Sequence, residues 1–320
     1  MSALDTLKSL DEQLVNVLRT GDVRLLRRSW VLEQPKGFSM PRRQKLEELE
    51  QEGCSPSPLL QPHEAVELVG RASRSTGVLS YGWLSVMSPD PVGIRLAAVQ
   101  AAFKEHSYLE ALFWDVAALY QKPRSLSQDD QFKNALGVMG DLYASAVATT
   151  VLQLKEIPER PREMDGSIYV HEPKGDERAL REFFDPYGEI ELCELRGEGA
   201  AIVRFCDRAD ALKVLQQAHG MVSDLPCTWL ALEYYDRAYD NRGWCCFEDA
   251  VSSELIVQLM DYPKMRAVME KLPPKLLTLS SDHAPVPKEL LRSQSGSHVI
   301  EATKRIAEAT FTGKGDEEQV

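Results

Sequence analysis

Residues 241–255, NRGWCCFEDAVSSEL, concentrate the residue types most able to do chemistry. Trp244 and Glu248 stand four apart, so on a helix they share one face about one turn apart. A carboxylate beside an indole can act as a general acid or base, or stabilise positive charge that develops in a transition state. The indole can pack on a flat ring or shield such a site from solvent. The thiols of Cys245 and Cys246 point about 100° apart on a helix and do not easily share one metal. No His-Cys cluster at ligand spacing stands beside them, and His63, His106 and His219 fall in no arrangement that would make a Cys–His pair. Glu248 is therefore the candidate catalytic group, and a free cysteine here reads as a small buried apolar residue. A plainer reading stays open: Trp244 in a core, and Glu248 solvated or paired with an arginine such as Arg242.

The elements that must position these residues follow from periodicity. Leu4, Leu7, Leu10, Leu14 and Leu18 recur at helical spacing behind Ser2, a candidate N-cap, and PRRQKLEELEQEG predicts a second, charged helix ending at Gly53. CSPSPLLQP reads as a linker, so residues 1–75 are expected to be a helical N-terminal extension, with the ordered body beginning near residue 76. GVLSYGW, EALFWDV and TTVLQL then read as strands, separated by helices over PVGIRLAAVQAAFKEH and DDQFKNALGVMGDLYASA. That alternation predicts a parallel sheet covered on both faces. Tyr81, Trp83 and Asp115 fall at strand ends, where open α/β sheets bind ligands. Asp115 has a second reading as a cap of the following helix. After a separate unit at 167–236, the helix bearing Glu248 and a strand in PPKLLTLSS resume the pattern, so 76–158 and 238–285 are expected to form one domain. Residues 286–320 supply a terminal amphipathic helix and a polar tail, TGKGDEEQV.

Composition narrows the classes. The chain has 320 residues, 43% hydrophobic and 27% charged, which suits a packed two-domain protein. A net charge of −12 excludes broad, non-specific capture of phosphate backbones. No apolar run approaches the roughly 18 residues that span a bilayer, and MSALDTLKSLDEQL lacks the features of a secretory signal, so no membrane partner is expected. Six cysteines without CxxC spacing predict reduced thiols in the cytoplasm or nucleus. No GxGxxG loop is present to cradle a phosphate.

Residues 167–236 read as β-α-β-β-α-β: SIYVHE, DERALREFFDPYG, EIELCEL, AAIVRFC, DRADALKVLQQAHG and TWLALEYY. This unit resembles an RNA-recognition motif (RRM), a ferredoxin-like α+β fold, including the FFDPYGEI helix exit and the EGAAIVRF third strand. The resemblance implies single-stranded RNA stacking on aromatic side chains of the outer sheet face. Alternation along the strands turns Tyr169, His171, Ala200, Ile202 and Arg204 to that face, with Ile168, Val170, Ala201, Val203 and Phe205 inward. The family places aromatics where this chain has Ala200 and Ile202, and stacking is worth ~1–3 kcal/mol per base. The unit carries seven Lys or Arg against fourteen Asp or Glu, a net of −7, which repels phosphate. A protein ligand on an aliphatic face, or specialised RNA contact through Tyr169, His171 and Arg204, are the two expectations.

With that unit set aside, SYGW, FWDVAALYQ and the Trp-x-x-x-Glu of Trp244 and Glu248 resemble the TIR and heterokaryon-incompatibility domains, whose sheet is flavodoxin-like. The resemblance implies a self-associating scaffold. It also implies, for catalytic members, cleavage of the nicotinamide glycosidic bond of NAD by Glu248, with Tyr81, Trp83, Asp115 and Trp244 around the ligand. Two expectations follow: an RRM-type binding module on a TIR-like α/β scaffold, or an NAD glycohydrolase regulated by its inserted domain. NAD is the one small molecule expected, as substrate; no resident cofactor or metal is.

Overall fold

A computed structural model describes residues 2–86, 88–197, 199–218, 225–288 and 297–309. His219 and the tail at 312–320, both singled out above, lie outside the described residues. The chain divides into two compact units. The first comprises Met1–Gly82, Val92–Glu156 and Arg237–Val320; the second comprises Trp83–Pro91 and Ile157–Asp236.

The first unit is built on a six-stranded sheet. Its strands are β1 (Leu26–Arg27), β2 (Thr76–Tyr81), β3 (Ala111–Phe113), β4 (Thr149–Leu154), β9 (Leu276–Thr278) and β10 (Val286–Pro287), in the order β1-β3-β2-β4-β9-β10. The four inner strands run parallel, and the two short edge strands are antiparallel to their neighbours. TGVLSY and TTVLQL are buried at every position, the pattern of strands covered on both faces. Helix Ile94–Glu105 carries the chain from β2 to β3 on one side, and helices Leu126–Leu136 and Met139–Ala144 return it to β4 on the other. The strand order therefore reverses between β2 and β4, the place where open α/β sheets leave a crevice.

Three sequence expectations change. The helix read over 129–146 is two helices, interrupted at Gly137 and Val138. The N-terminal leucine series also forms two helices, Ala3–Ser9 and Glu12–Thr20, separated by Leu10 and buried Asp11. CSPSPLLQP is not a spacer: Leu59 bridges Leu26, and the Leu60 amide donates to the Leu25 carbonyl at 2.8 Å. Leu14, Leu18, Leu25, Leu60 and Leu68 share a core with Val78, Phe113 and Val151, so the first 75 residues belong to the body of this unit.

The second unit holds a four-stranded antiparallel sheet, β5 (Ser167–His171), β6 (Ile190–Arg196), β7 (Ala200–Phe205) and β8 (Trp229–Leu232), in the order β6-β7-β5-β8. Helices Glu177–Phe184 and Arg208–Ala218 bring Leu180, Phe184, Ala211 and Val214 onto Ile168, Val170, Ala201, Val203 and Phe205. The inward set matches the alternation read from the sequence. Gly166 opens β5 at a positive φ of 69°, where a Cβ would stand 2.6 Å from the Phe205 carbonyl oxygen. Glycine is required there. The segment 83–91 joins this unit through a bridge between Ser85 and Tyr234, just past β8.

Candidate functional site

Glu248 sits one turn into helix Gly243–Leu259 and is 8% exposed. The Ser80 hydroxyl, at the end of β2, donates to Glu248 Oε2 at 2.6 Å, and the Tyr239 hydroxyl is bonded in turn to Ser80 Oγ. Tyr143 also bonds the Glu248 carboxyl, while its own hydroxyl proton is directed at the Leu79 carbonyl, 3.0 Å away. Burial pushes this carboxyl up to about 8, with the charge of Asp115 adding to the effect and the bonds from Ser80 and Tyr143 opposing it. The site therefore favours the neutral acid form of Glu248.

The neighbouring Asp249 is the opposite case. Burial would raise it, but bonds from Lys288 Nζ and Gln153 Nε2, both at 2.6 Å, outweigh burial and hold it below the usual carboxylate range. Lys155 and Arg305 stand 3.7 and 3.6 Å from its other oxygen. The surroundings of these adjacent carboxyls, at the ends of β2 and β4, thus push them in opposite directions.

Tyr81 and Asp115 are brought together, the phenol donating to Asp115 Oδ1 at 2.7 Å and accepting from Trp114 Nε1 at 2.8 Å. Asp115 Oδ1 also takes the Val116 amide at 2.7 Å; Asp115 is the first residue of the short helix Asp115–Ala118, whose N-cap is Trp114 with no side-chain cap bond, so the capping role read from the sequence is not the one seen. Trp244 is half-buried against the core shared with Leu14 and Met139, edge-to-face with Phe247. Trp83 falls in the segment that belongs to the second unit. The thiols are answered: Cys245 and Cys246 are both buried, bonded to the carbonyls of Tyr81 and Asp240, and burial pushes both up. Among the described residues no group of three or more His, Cys, Asp or Glu could hold a metal.

Sequence reasoning missed the groups that surround Glu248. Ser80 and Tyr143 reach it from separate elements, with Tyr239 behind Ser80, and hydroxyls so scattered leave no local pattern. Arg95 was also missed; it binds the carbonyls of Gly82, Leu154 and Glu156 at 3.1, 3.4 and 2.7 Å and so ties the ends of β2 and β4. Gly82 carried a signal of sorts: a Cβ there would stand 2.5 Å from Arg242 Nε, so the SYGW glycine makes room for a buried arginine.

In the second unit the outer sheet face divides in two. Tyr169, Ala200 and Ile202, at 4, 2 and 3% exposed, form an apolar cluster against which Val86 and Leu192 pack. Beside it lies an aromatic group. The Trp229 ring, 38% exposed, is 4.8 Å from His171 and 5.3 Å from Tyr169 between centroids, and His171 pairs with both Ala200 and Trp229 across the strands. Trp229 is the face residue that sequence reasoning overlooked, although strand alternation in TWLALEYY would have found it. Arg204 is engaged by Glu191 at 3.0 Å and by the Glu163 carbonyl at 2.6 Å.

Residues 172–225 match the RNA recognition motif family. That match, with an antiparallel four-stranded sheet and two helices compatible with the motif, supports an RRM domain within the second unit. A comparison with curated proteins finds no match. No helix among the described residues is long and apolar enough to cross a membrane.

Proposed function

We propose that this chain is a binding protein whose RRM domain serves protein contact in preference to RNA capture, carried on a flavodoxin-like α/β scaffold of the TIR/heterokaryon-incompatibility kind. The observation that carries the reading is the apolar cluster of Tyr169, Ala200 and Ile202 in place of exposed stacking platforms. The unit's charge of −7 works in the same direction. The parallel order β3-β2-β4-β9, with its reversal between β2 and β4, supports the flavodoxin-like scaffold. Self-association through that scaffold is the further expected contact, and six free cysteines suit a reducing compartment, cytoplasm or nucleus. Titrating labelled single-stranded RNA pools at low salt should give no saturable binding, by wild type and Tyr169→Ala alike. Tight binding that is lost in Tyr169→Ala would overturn the reading.

One observation favours a second reading. Two adjacent carboxyls at the strand-order reversal, Glu248 bonded by Ser80 and Asp249 by Lys288 and Gln153, sit in surroundings that push them in opposite directions, an arrangement suited to acid–base chemistry. This supports an NAD glycohydrolase of the TIR type using Glu248. A cationic nicotinamide riboside brought near Glu248 would favour its ionised form. Incubation with NAD should then release nicotinamide, and Glu248→Gln should abolish release; intact NAD after prolonged incubation would end this reading.

A further inference from the structure

The RRM domain contains a piece of chain that lies outside the family-matched stretch. Residues 83–91, WLSVMSPDP, follow β2 in the sequence and precede the rest of the domain by more than sixty residues, yet they belong to its compact unit. The Tyr235 amide donates to the Leu84 carbonyl at 2.8 Å, beside the Ser85–Tyr234 bridge, so the segment continues the sheet edge beyond β8. The chain then folds back on itself. The Ser85 amide donates to the Ser88 carbonyl at 3.1 Å, the Ser85 hydroxyl donates to the same carbonyl at 3.0 Å, and the Ser88 amide donates to Ser85 Oγ at 2.9 Å. Beside these bonds Val86 packs against the cluster of Tyr169, Ala200 and Ile202 on the sheet.

We propose that the outer face of this RRM is an intramolecular receptor, whose ligand is the chain's own 83–91 turn. This rests on the protein-contact reading above and names the partner. It accounts for the departure at β7: Ala200 and Ile202 stand where aromatic rings would project, and the smaller side chains leave the space that Val86 enters. The occupied half of the face is the apolar one. The Trp229–His171 half is left more open.

Hydrogen exchange of the full chain tests the proposal at one amide, Tyr235, whose acceptor is supplied by the segment. Val86→Ser, and the more severe Val86→Asp, remove the apolar contact without touching the bridge. Each should speed exchange at Tyr235 by about tenfold or more, the size expected from losing most of one valine's burial, while amides of β5 and β7 keep their wild-type protection. Unchanged exchange at Tyr235 in the folded Val86→Ser protein would overturn the proposal, whatever the fate of Val86→Asp. The two readings fail separately. Tight Tyr169-dependent RNA binding by wild type would defeat the protein-contact reading, whereas unchanged exchange with no RNA binding would defeat only the assignment of residues 83–91 as the ligand.

Discussion

Glu248 favours its protonated form because water is largely excluded and the charge of Asp115 disfavours a second negative charge nearby. Its charge state is therefore set by burial, and this has a consequence for stability. The unfolded chain releases that proton near its ordinary value of 4.5, the folded chain near about 8. Between those values the folded state binds more protons, so stability is greatest at the acid end and falls as pH rises through the window. Thermal melts from pH 5 to pH 9 should show wild type losing melting temperature toward the alkaline end. Glu248→Gln, which keeps an acceptor for Ser80, should flatten that slope. Equal slopes would mean that Glu248 is ionised in the folded protein. Asp249 has the reverse sign: its contribution is present above the usual aspartate range and is lost only on acidification.

Among the elements, the C-terminal helix Ser297–Glu308 and the exit of β10 reach the strand ends through Arg305 and Lys288, both onto Asp249. Arg305→Ala removes a half-exposed partner at 3.6 Å and should cost less than about 1 kcal/mol in denaturant unfolding. Asp249→Ala leaves Gln153 and Lys288 without their acceptor and should cost more, ~1–3 kcal/mol. Gly166→Ala, forced into a positive φ against a carbonyl, should destabilise the RRM domain by at least about 1–3 kcal/mol. The same scale shows what the sequence could tell. TTVLQL was legible to the residue because a buried, β-branched run has few alternatives, and the RRM strands were legible from alternation. CSPSPLLQP was misread because three prolines and two serines look like a spacer. What makes it structural is the pairing of Leu59 and Leu60 with residues 25 and 26, more than thirty positions away. Likewise Trp244-x-x-x-Glu248 pointed to the acid, but Ser80 lies 168 residues from it in the chain.

For the molecule as a whole, the insertion is more than a domain spliced into one loop. The chain passes between its units after Gly82, Pro91, Glu156 and Asp236, four crossings where a simple insertion needs two. A fragment cut at the limits of the continuous part, residues 157–236, would carry the entire four-stranded sheet and both its helices but not the turn bearing Val86. Its apolar half-face would then meet water. Such a fragment should associate with itself at concentrations where one with residues 83–91 fused to it stays monomeric, as sedimentation would reveal. In practical terms, trimming the protein to what a motif boundary suggests would uncover the apolar half-face that Val86 packs on in the full chain, and a pull-down with that trimmed bait would report partners for a surface made by the cut.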